Sequence, residues 1–141
     1  MDAASAATAA VAFVWLGMVL AISFLEAPLK FRAPGVTLPL GLGIGRLVFR
    51  ALNRVELLLA ATVAATVFAG DVRAAVMAPA AVALALLAVQ LLLIRPSLNR
   101  RSDRVLAGED LPRSHAHVFY IAAEVVKVLA LLALGIRGLM N

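Results

Sequence analysis

The residues of this chain that could do chemistry are a few ionisable side chains inside long apolar stretches. Glu56 precedes the uncharged segment 57–70, and Glu124 and Lys127 interrupt an otherwise apolar segment near the C-terminus. Placing an ionised side chain at the centre of a membrane helix costs about 2.5–3.5 kcal/mol on insertion scales. Each of these side chains therefore requires a partner, a water-filled cavity or a function.

Helical spacing places these side chains on faces that could meet. At about 100° per residue, the polar residues between 117 and 127 form one stripe within an arc of roughly 80°. Glu56 lies on the second predicted helix near the depth of Glu124, and Glu26 lies in the last turn of the first. The spacing therefore predicts one ligand or ion cluster. Its members are Glu26, Asn53, Glu56, His117, Tyr120, Glu124 and Lys127.

Three interpretations of this cluster stay open at the level of sequence. In the first, Glu124 pairs with Lys127, and Glu56 pairs with Arg54 or with a neighbouring helix, so that neutralised pairs set the helix register. In the second, the cluster is a polar site for a proton, a cation, a quinone or a lipid headgroup. In the third, some of these residues face a partner protein.

Metal and thiol chemistry are restricted by the residues present. The chain has no Cys, which excludes thiolate nucleophiles, disulfides, Cys-ligated zinc and iron–sulfur clusters. A di-iron bundle requires Glu-x-x-His on two helices, but Lys127 stands three residues after Glu124. His115 and His117 lie on one helix and point to nearly opposite faces, which disfavours haem ligation by two histidines. We predict no metal site, and the cofactor stays unassigned.

Four apolar segments must position the cluster. Hydrophobic residues make up 64% of the 141 positions and charged residues 15%, whereas soluble domains hold about 45–50% apolar residues. A bilayer core of about 30 Å requires about 20 apolar residues per helix. We predict an all-α polytopic integral membrane protein, a single domain that forms a four-transmembrane-helix bundle. The predicted helices are 4–28, 46–69, 74–95 and 114–136.

The distribution of Lys and Arg predicts the orientation of this bundle. Most of the cations lie in or beside the predicted connections 29–45 and 96–113, and only Arg73 and Arg137 lie on the other side. The positive-inside rule therefore predicts cytoplasmic connections, both termini outside, and a location in the inner (plasma) membrane. The net charge of +5 then reflects a cytoplasmic rim beside anionic headgroups rather than nucleic-acid binding.

A glycine-rich segment precedes the second predicted helix. Glycines stand at positions 41, 43 and 45, immediately before Arg46. We interpret this segment as a flexible interfacial turn through which the chain re-enters the membrane. The alternative is a lipid-phosphate contact made by Arg46 and Arg50, since a helix start presents free backbone N–H groups to an anion.

Three short motifs in the first third of the chain carry a family resemblance. They are Trp15-Leu-Gly17, Phe24-Leu-Glu-Ala-Pro28-Leu-Lys-Phe31 and Gly45-Arg-Leu-Val-Phe49. In this order they resemble the small membrane proteins of the transmembrane-protein-205-like family. The resemblance implies a four-helix fold and transfers no catalytic residue, because that family has no well-established biochemical activity. Glu26 departs from the pattern, since an apolar residue would be expected there.

These observations favour a non-enzymatic membrane protein that works in a homo-oligomer or with membrane protein partners. Its polar cluster would bind an ion, a lipid headgroup or a small ligand. The alternative is an enzyme or redox component acting on a quinone or lipid, in which Glu56 or Glu124 shuttles protons beside His117 and Tyr120. A small transporter or channel is a further alternative.

Overall fold

A computed structural model describes residues 1–71, 73–112 and 115–141. Within these ranges the chain forms four long helices and no strand: α1 (Ala3–Arg32), α2 (Leu38–Ala69), α3 (Ala74–Leu106) and α4 (His115–Leu139). Each helix is long and apolar enough to cross a membrane. The prediction of an all-α chain with four such helices is confirmed. Arg113 in the basic third connection and Ser114, the predicted start of the last helix, lie outside the described residues.

Side-chain caps explain where the first two helices begin. The Asp2 carboxylate accepts a hydrogen bond of 2.7 Å from the backbone N–H of Ser5, and this bond holds the pKa of Asp2 below its ordinary value. The Thr37 hydroxyl accepts a bond of 3.3 Å from the N–H of Leu40, and Pro39 occupies the first turn. Both arrangements satisfy backbone donors that a helix start leaves unpaired.

The predicted start of the second helix at 46 is therefore wrong, and so is the flexible turn predicted for the glycine-rich segment. The helix begins at Leu38 and includes the three glycines. Two of them allow a close approach of the end of α1: Gly41 leaves room for the ring of Phe31, and a Cβ at Gly45 would lie 2.9 Å from Lys30 Nζ. A glycine costs about 1 kcal/mol in a helix interior, and at Gly41 and Gly45 the missing Cβ permits this contact.

Two helices contain a wider, π-helical stretch just before a proline. In α1 this stretch is Leu20–Glu26 and precedes Pro28, and in α3 it is Gln90–Ile94 and precedes Pro96. Proline lacks an N–H and its ring clashes with the carbonyl four residues earlier, and a π turn relieves both constraints. The helices therefore continue past the prolines, to Arg32 and Leu106, beyond the predicted ends at 28 and 95.

The connection after α3 is correspondingly shorter than the predicted range 96–113, and basic side chains hold it. Arg101 donates hydrogen bonds to the carbonyls of Leu111 and Pro112, the shortest at 2.8 Å. Arg104 pairs with Glu109 at 2.9 Å, and this pairing lowers the pKa of Glu109. We call this end of the bundle, formed by residues 29–46 and 95–112, the basic end.

The helix interfaces combine small and branched apolar residues with Trp15, while many large apolar residues point outward. α1 packs against α2 and α4, and α3 packs against α4. Leu58, Phe68 and Leu92 are 70%, 75% and 74% exposed, a distribution typical of helices surrounded by lipid. The most buried apolar side chains among the described residues are those of Ala12, Trp15, Val19, Leu52, Val63, Val76, Ala83, Leu131 and Leu134.

A close approach of the α4 backbone to the α1 backbone at Gly138 predicts a position at which a larger side chain is not tolerated. A Cβ at Gly138 would lie 3.1 Å from the Cβ and 3.2 Å from the backbone nitrogen of Ala9. Gly138→Val should separate the helices and lower stability by about 1–3 kcal/mol, measured as the thermal unfolding midpoint in detergent. Gly17→Val is the matched control, because nothing lies within 4 Å of a Cβ there. Equal midpoints for the two variants would contradict the close packing.

Candidate functional site

A buried ammonium group joins three helices near the centre of the bundle. Lys127 Nζ lies 2.5 Å from Glu56 Oε2, 2.7 Å from Glu124 Oε1 and 2.8 Å from Gln90 Oε1. The side chains of Lys127 and Glu56 are 0% exposed, and that of Glu124 is 1% exposed. An ammonium group has three donors, so each of them has an acceptor, on α2, α3 and α4.

Neutral side chains extend this arrangement to α1. The Trp15 indole N–H donates to Glu56 Oε2 at 2.8 Å, and the Ser23 hydroxyl donates to Glu124 Oε2 at 2.6 Å. The Gln90 amide also donates to Glu124 Oε1, at 3.1 Å. All four helices thus contribute to one network, which we call the cross-helix cluster. It consists of Trp15, Ser23, Glu56, Gln90, Glu124 and Lys127.

The π-helical stretches supply two members of the cross-helix cluster. Ser23 lies within the stretch of α1, and Gln90 begins the stretch of α3. Both side chains bind Glu124. The wider turns that precede Pro28 and Pro96 therefore contain side chains that face the buried carboxylate.

The cross-helix cluster has an unequal number of opposite charges. Two carboxylates and one ammonium group leave a formal charge of −1 when all are ionised. Both oxygens of Glu124 accept hydrogen bonds, whereas Glu56 Oε1 is buried and has no hydrogen-bond partner among the described residues. Removing one partner of a buried ion pair typically costs 3–5 kcal/mol, so Lys127 is the member on which both carboxylates depend.

A cavity of about 760 Å³ lies between the cross-helix cluster and the basic end. Ser23, Tyr120 and Glu124 form its inner wall, and its sides are largely apolar. Its volume is within the range of about 300–1,000 Å³ that small-molecule sites occupy. The apolar side chains that line it include Phe24, Phe31, Leu42, Phe49, Leu98 and Ile121.

Four cationic side chains also line this cavity, and three of them have polar partners. Lys30 lies 3.6 Å from Glu26, Arg46 pairs with Asp103, and Arg101 binds backbone carbonyls of the connection after α3. The fourth is Arg95. Its Nε and Nη2 atoms are buried and have no hydrogen-bond partner within the described ranges.

The structure brings together only part of the predicted ligand or ion cluster. Lys127 contacts both Glu56 and Glu124. The partner of Glu56 is therefore Lys127 on a neighbouring helix and not Arg54. Tyr120 and His117 lie on the cavity wall instead.

The remaining predicted residues lie elsewhere. Glu26 pairs with Lys30. Asn53 lines a second, smaller cavity of about 180 Å³ together with Arg46 and Arg50, the two residues predicted to contact lipid phosphate. In the parts of the chain that the structure describes, no three His, Asp or Glu side chains converge as a metal site would require.

Sequence reasoning left three members of the cross-helix cluster out of the predicted site: Trp15, Ser23 and Gln90. Each is an uncharged polar side chain inside an apolar helix. Gln90 carried the clearest signal, because it is the only strongly polar residue in the segment 74–94. A buried amide in such a segment needs hydrogen-bond partners, and here it has both Lys127 and Glu124.

Replacing the buried cation tests the cross-helix cluster. Lys127→Met leaves two buried carboxylates without their shared partner and should lower stability by about 3–5 kcal/mol. The unfolding midpoint can be followed through the emission of Trp15, the single Trp of the chain. Arg137→Met is the matched control, since Arg137 is an exposed cation on the same helix.

A further variant distinguishes charge imbalance from loss of packing. Adding Glu56→Gln and Glu124→Gln to Lys127→Met removes the unpaired charges and should recover most of the lost stability. The shared role of Lys127 is refuted if Lys127→Met unfolds at the same temperature as Arg137→Met.

Comparisons with protein-family models, with curated proteins and with solved structures each found no significant match to this chain. The resemblance to the transmembrane-protein-205-like family therefore stays a prediction from the motifs in residues 15–49. The basis for a functional assignment is the site itself, a polar network that joins four helices beside a largely apolar cavity with cations on its wall.

Proposed function

We propose that this chain is a small, non-enzymatic integral membrane protein that binds an amphiphilic ligand, a lipid or a molecule of similar build, in the cavity between its helices. The observation that carries the proposal is the composition of the cavity wall. Apolar side chains cover its sides, cations line it toward the basic end, and polar groups of the cross-helix cluster form its inner wall. Such a wall complements a molecule with one polar end and one apolar end.

The hydrogen bonds and ion pairs of the cross-helix cluster favour a structural role, as a rigid part of the cavity wall, over a role in ion transport. Lys127 uses all of its donors within the cluster, and both oxygens of Glu124 accept bonds from neighbouring helices. A transport site must exchange partners readily to release its ion. Buried pairs of this kind instead hold helices in register, which keeps the cavity open between them.

An enzyme or redox component acting on a quinone or lipid is the second candidate. His117, Tyr120 and Glu124 share the cavity wall, so a bound ligand would meet groups able to exchange protons. This candidate requires chemical conversion of the bound molecule. The identity of the molecule that co-purifies, before and after incubation, separates it from simple binding.

The membrane orientation belongs to the same proposal. Most of the residues that line the cavity belong to the basic end, and this end holds most of the Lys and Arg side chains. We place this end at the cytoplasmic face of the inner membrane, beside anionic headgroups, with both termini outside. A chain of four helices is small, and we assign it to a homo-oligomer or a larger membrane assembly.

Filling the cavity tests ligand binding. Gly45 lines the cavity, and the nearest atom to an added Cβ is the flexible end of Lys30, so Gly45→Leu should fold while occupying ligand space. We expect wild-type protein extracted in mild detergent to retain an amphiphile in native mass spectra. Gly45→Leu should reduce its occupancy by roughly tenfold, equivalent to a loss of about 1.4 kcal/mol.

Gly43→Leu is the matched control on the same helix, because nothing lies within 4 Å of a Cβ there and Gly43 does not line the cavity. Equal occupancy in Gly45→Leu and Gly43→Leu would overturn the cavity as the binding site. The same spectra report how many copies of the chain stay together.

Single cysteine substitutions test the orientation, since the natural chain contains none. Asp71 follows α2 and Asp110 follows α3, and both are exposed. In intact spheroplasts, a membrane-impermeant maleimide should label Asp71→Cys and should label Asp110→Cys only after permeabilisation. The reverse pattern would place the basic end outside the cell and refute the proposed orientation.

A further inference from the structure

Arg95 is in a different situation from the other cations of the cavity. Lys30, Arg46 and Arg101 each have a carboxylate or a backbone carbonyl as partner. Arg95 Nε and Nη2 are buried, yet neither has a hydrogen-bond partner in the described parts of the chain. Buried donors of a charged group are costly when unpaired, so this side chain is prepared for a partner that the described residues do not supply.

Two aromatic rings hold the Arg95 guanidinium. Its Cζ lies 4.7 Å from the ring centroid of Phe49 and 4.5 Å from that of Tyr120. The two rings meet edge to face, with centroids 5.8 Å apart and planes at 88°. Cation–π contacts of this kind restrict the orientation of the guanidinium plane. Arg95 is thereby preorganised, and little conformational entropy remains to be lost on binding.

The unpaired atoms of Arg95 define the chemistry of the missing partner. Nε and Nη2 form one edge of the guanidinium, and their parallel N–H groups match two oxygens of a carboxylate or phosphate. Tyr120 adds a third donor: the residue is 6% exposed, its hydroxyl has no hydrogen-bond partner within the described ranges, and it lines the same cavity.

We infer that Arg95 and Tyr120 form an anion-recognition site, and that the ligand of the cavity carries a phosphate or carboxylate group on an apolar tail. The inference rests on the proposed function and names its ligand class. The nearby carboxylates are partly neutralised, because Lys127 is shared by Glu124 and Glu56 and Glu26 is paired with Lys30. The apolar side chains of the cavity wall accommodate the tail.

This assignment differs from the lipid-phosphate contact expected at Arg46 and Arg50. Arg46 is already paired with Asp103, and Arg50 lines the smaller cavity rather than the larger one. Arg95 was visible in the sequence only as one of several cations beside the third connection. Its contacts with two rings and its buried, unpaired Nε and Nη2 atoms distinguish it from the other three cations of the cavity.

Binding of four defined probes to delipidated protein tests the inference. The probes are phosphatidylglycerol, oleate, a diacylglycerol with the same acyl chains, and inorganic phosphate. We define specific binding as the difference between the bound-probe signal of the wild-type protein and that of Gly45→Leu in native mass spectra. We expect phosphatidylglycerol and oleate to bind roughly tenfold more tightly than the diacylglycerol, as expected for a charge-assisted bidentate contact.

Variants of Arg95 and Tyr120 test whether these two residues cause the preference for anionic probes over the neutral one. Arg95→Gln should abolish the preference for anionic probes while leaving the diacylglycerol unchanged, and Tyr120→Phe should weaken anionic binding by a smaller factor. Arg95→Lys keeps the charge but loses the paired N–H edge, so it should recover only part of the preference. Arg100→Gln is the matched control, because Arg100 is exposed on the same helix and lines neither cavity.

The outcomes separate this inference from the proposed function. Equal binding of anionic and neutral amphiphiles, unchanged in Arg95→Gln, would overturn the anion-recognition site and leave the binding cavity intact. Absence of specific binding for every amphiphile would overturn the proposed function as well. Competition by inorganic phosphate as strong as that by phosphatidylglycerol would show that the site takes a free anion and would overturn the requirement for an apolar tail.

Discussion

The ammonium group of Lys127 is buried away from water, so its acceptors must all come from the protein. They come from Glu56, Glu124 and Gln90 on three helices, and a shift of any of these helices along or about its axis would break a charge-assisted bond. Trp15 and Ser23 tie α1 to the same carboxylates. Apolar side chains gain little from one helix register over another when lipid surrounds the helices. The hydrogen bonds and ion pairs of this network, by contrast, require a particular alignment of the four helices.

The cavity follows from the same constraint together with two prolines. Pro28 and Pro96 follow wider helical turns, and these turns contain Ser23 and Gln90, which bind Glu124. One side of the buried carboxylate is thereby occupied by the cross-helix cluster, and the other faces the cavity. The cavity wall consequently combines polar groups that are satisfied within the protein with buried groups that have no hydrogen-bond partner among the described residues, the Arg95 donors and the Tyr120 hydroxyl among them.

Much of the fold could be predicted from local sequence features. Apolar length identified four helices, and the distribution of Lys and Arg identified a basic end. The start of α2 was missed because the glycine-rich segment has low helix propensity. There the cap at Thr37 and the contacts of Gly41 and Gly45 with α1 outweigh propensity. The glycine contacts are made with a different helix, so they cannot be predicted from the residues of the segment alone.

For the site, the position of Glu56, Glu124 and Lys127 inside or beside long apolar segments was enough to single them out, because a charge inside such a helix needs a partner, and all three are buried. The same criterion did not separate them from Arg50 and Arg54, which lie on the same helix as Glu56 and are exposed. Helical periodicity also placed Glu124 and Lys127 on one face. Tertiary packing was needed to show that Glu56, which is 71 positions from Lys127 in the chain, pairs with it rather than with Arg54. It was also needed to show that Arg95 contacts two aromatic rings. The physical reason is that periodicity describes the faces of one helix, whereas the choice of which faces meet depends on packing and on satisfying every buried polar group across all four helices at once.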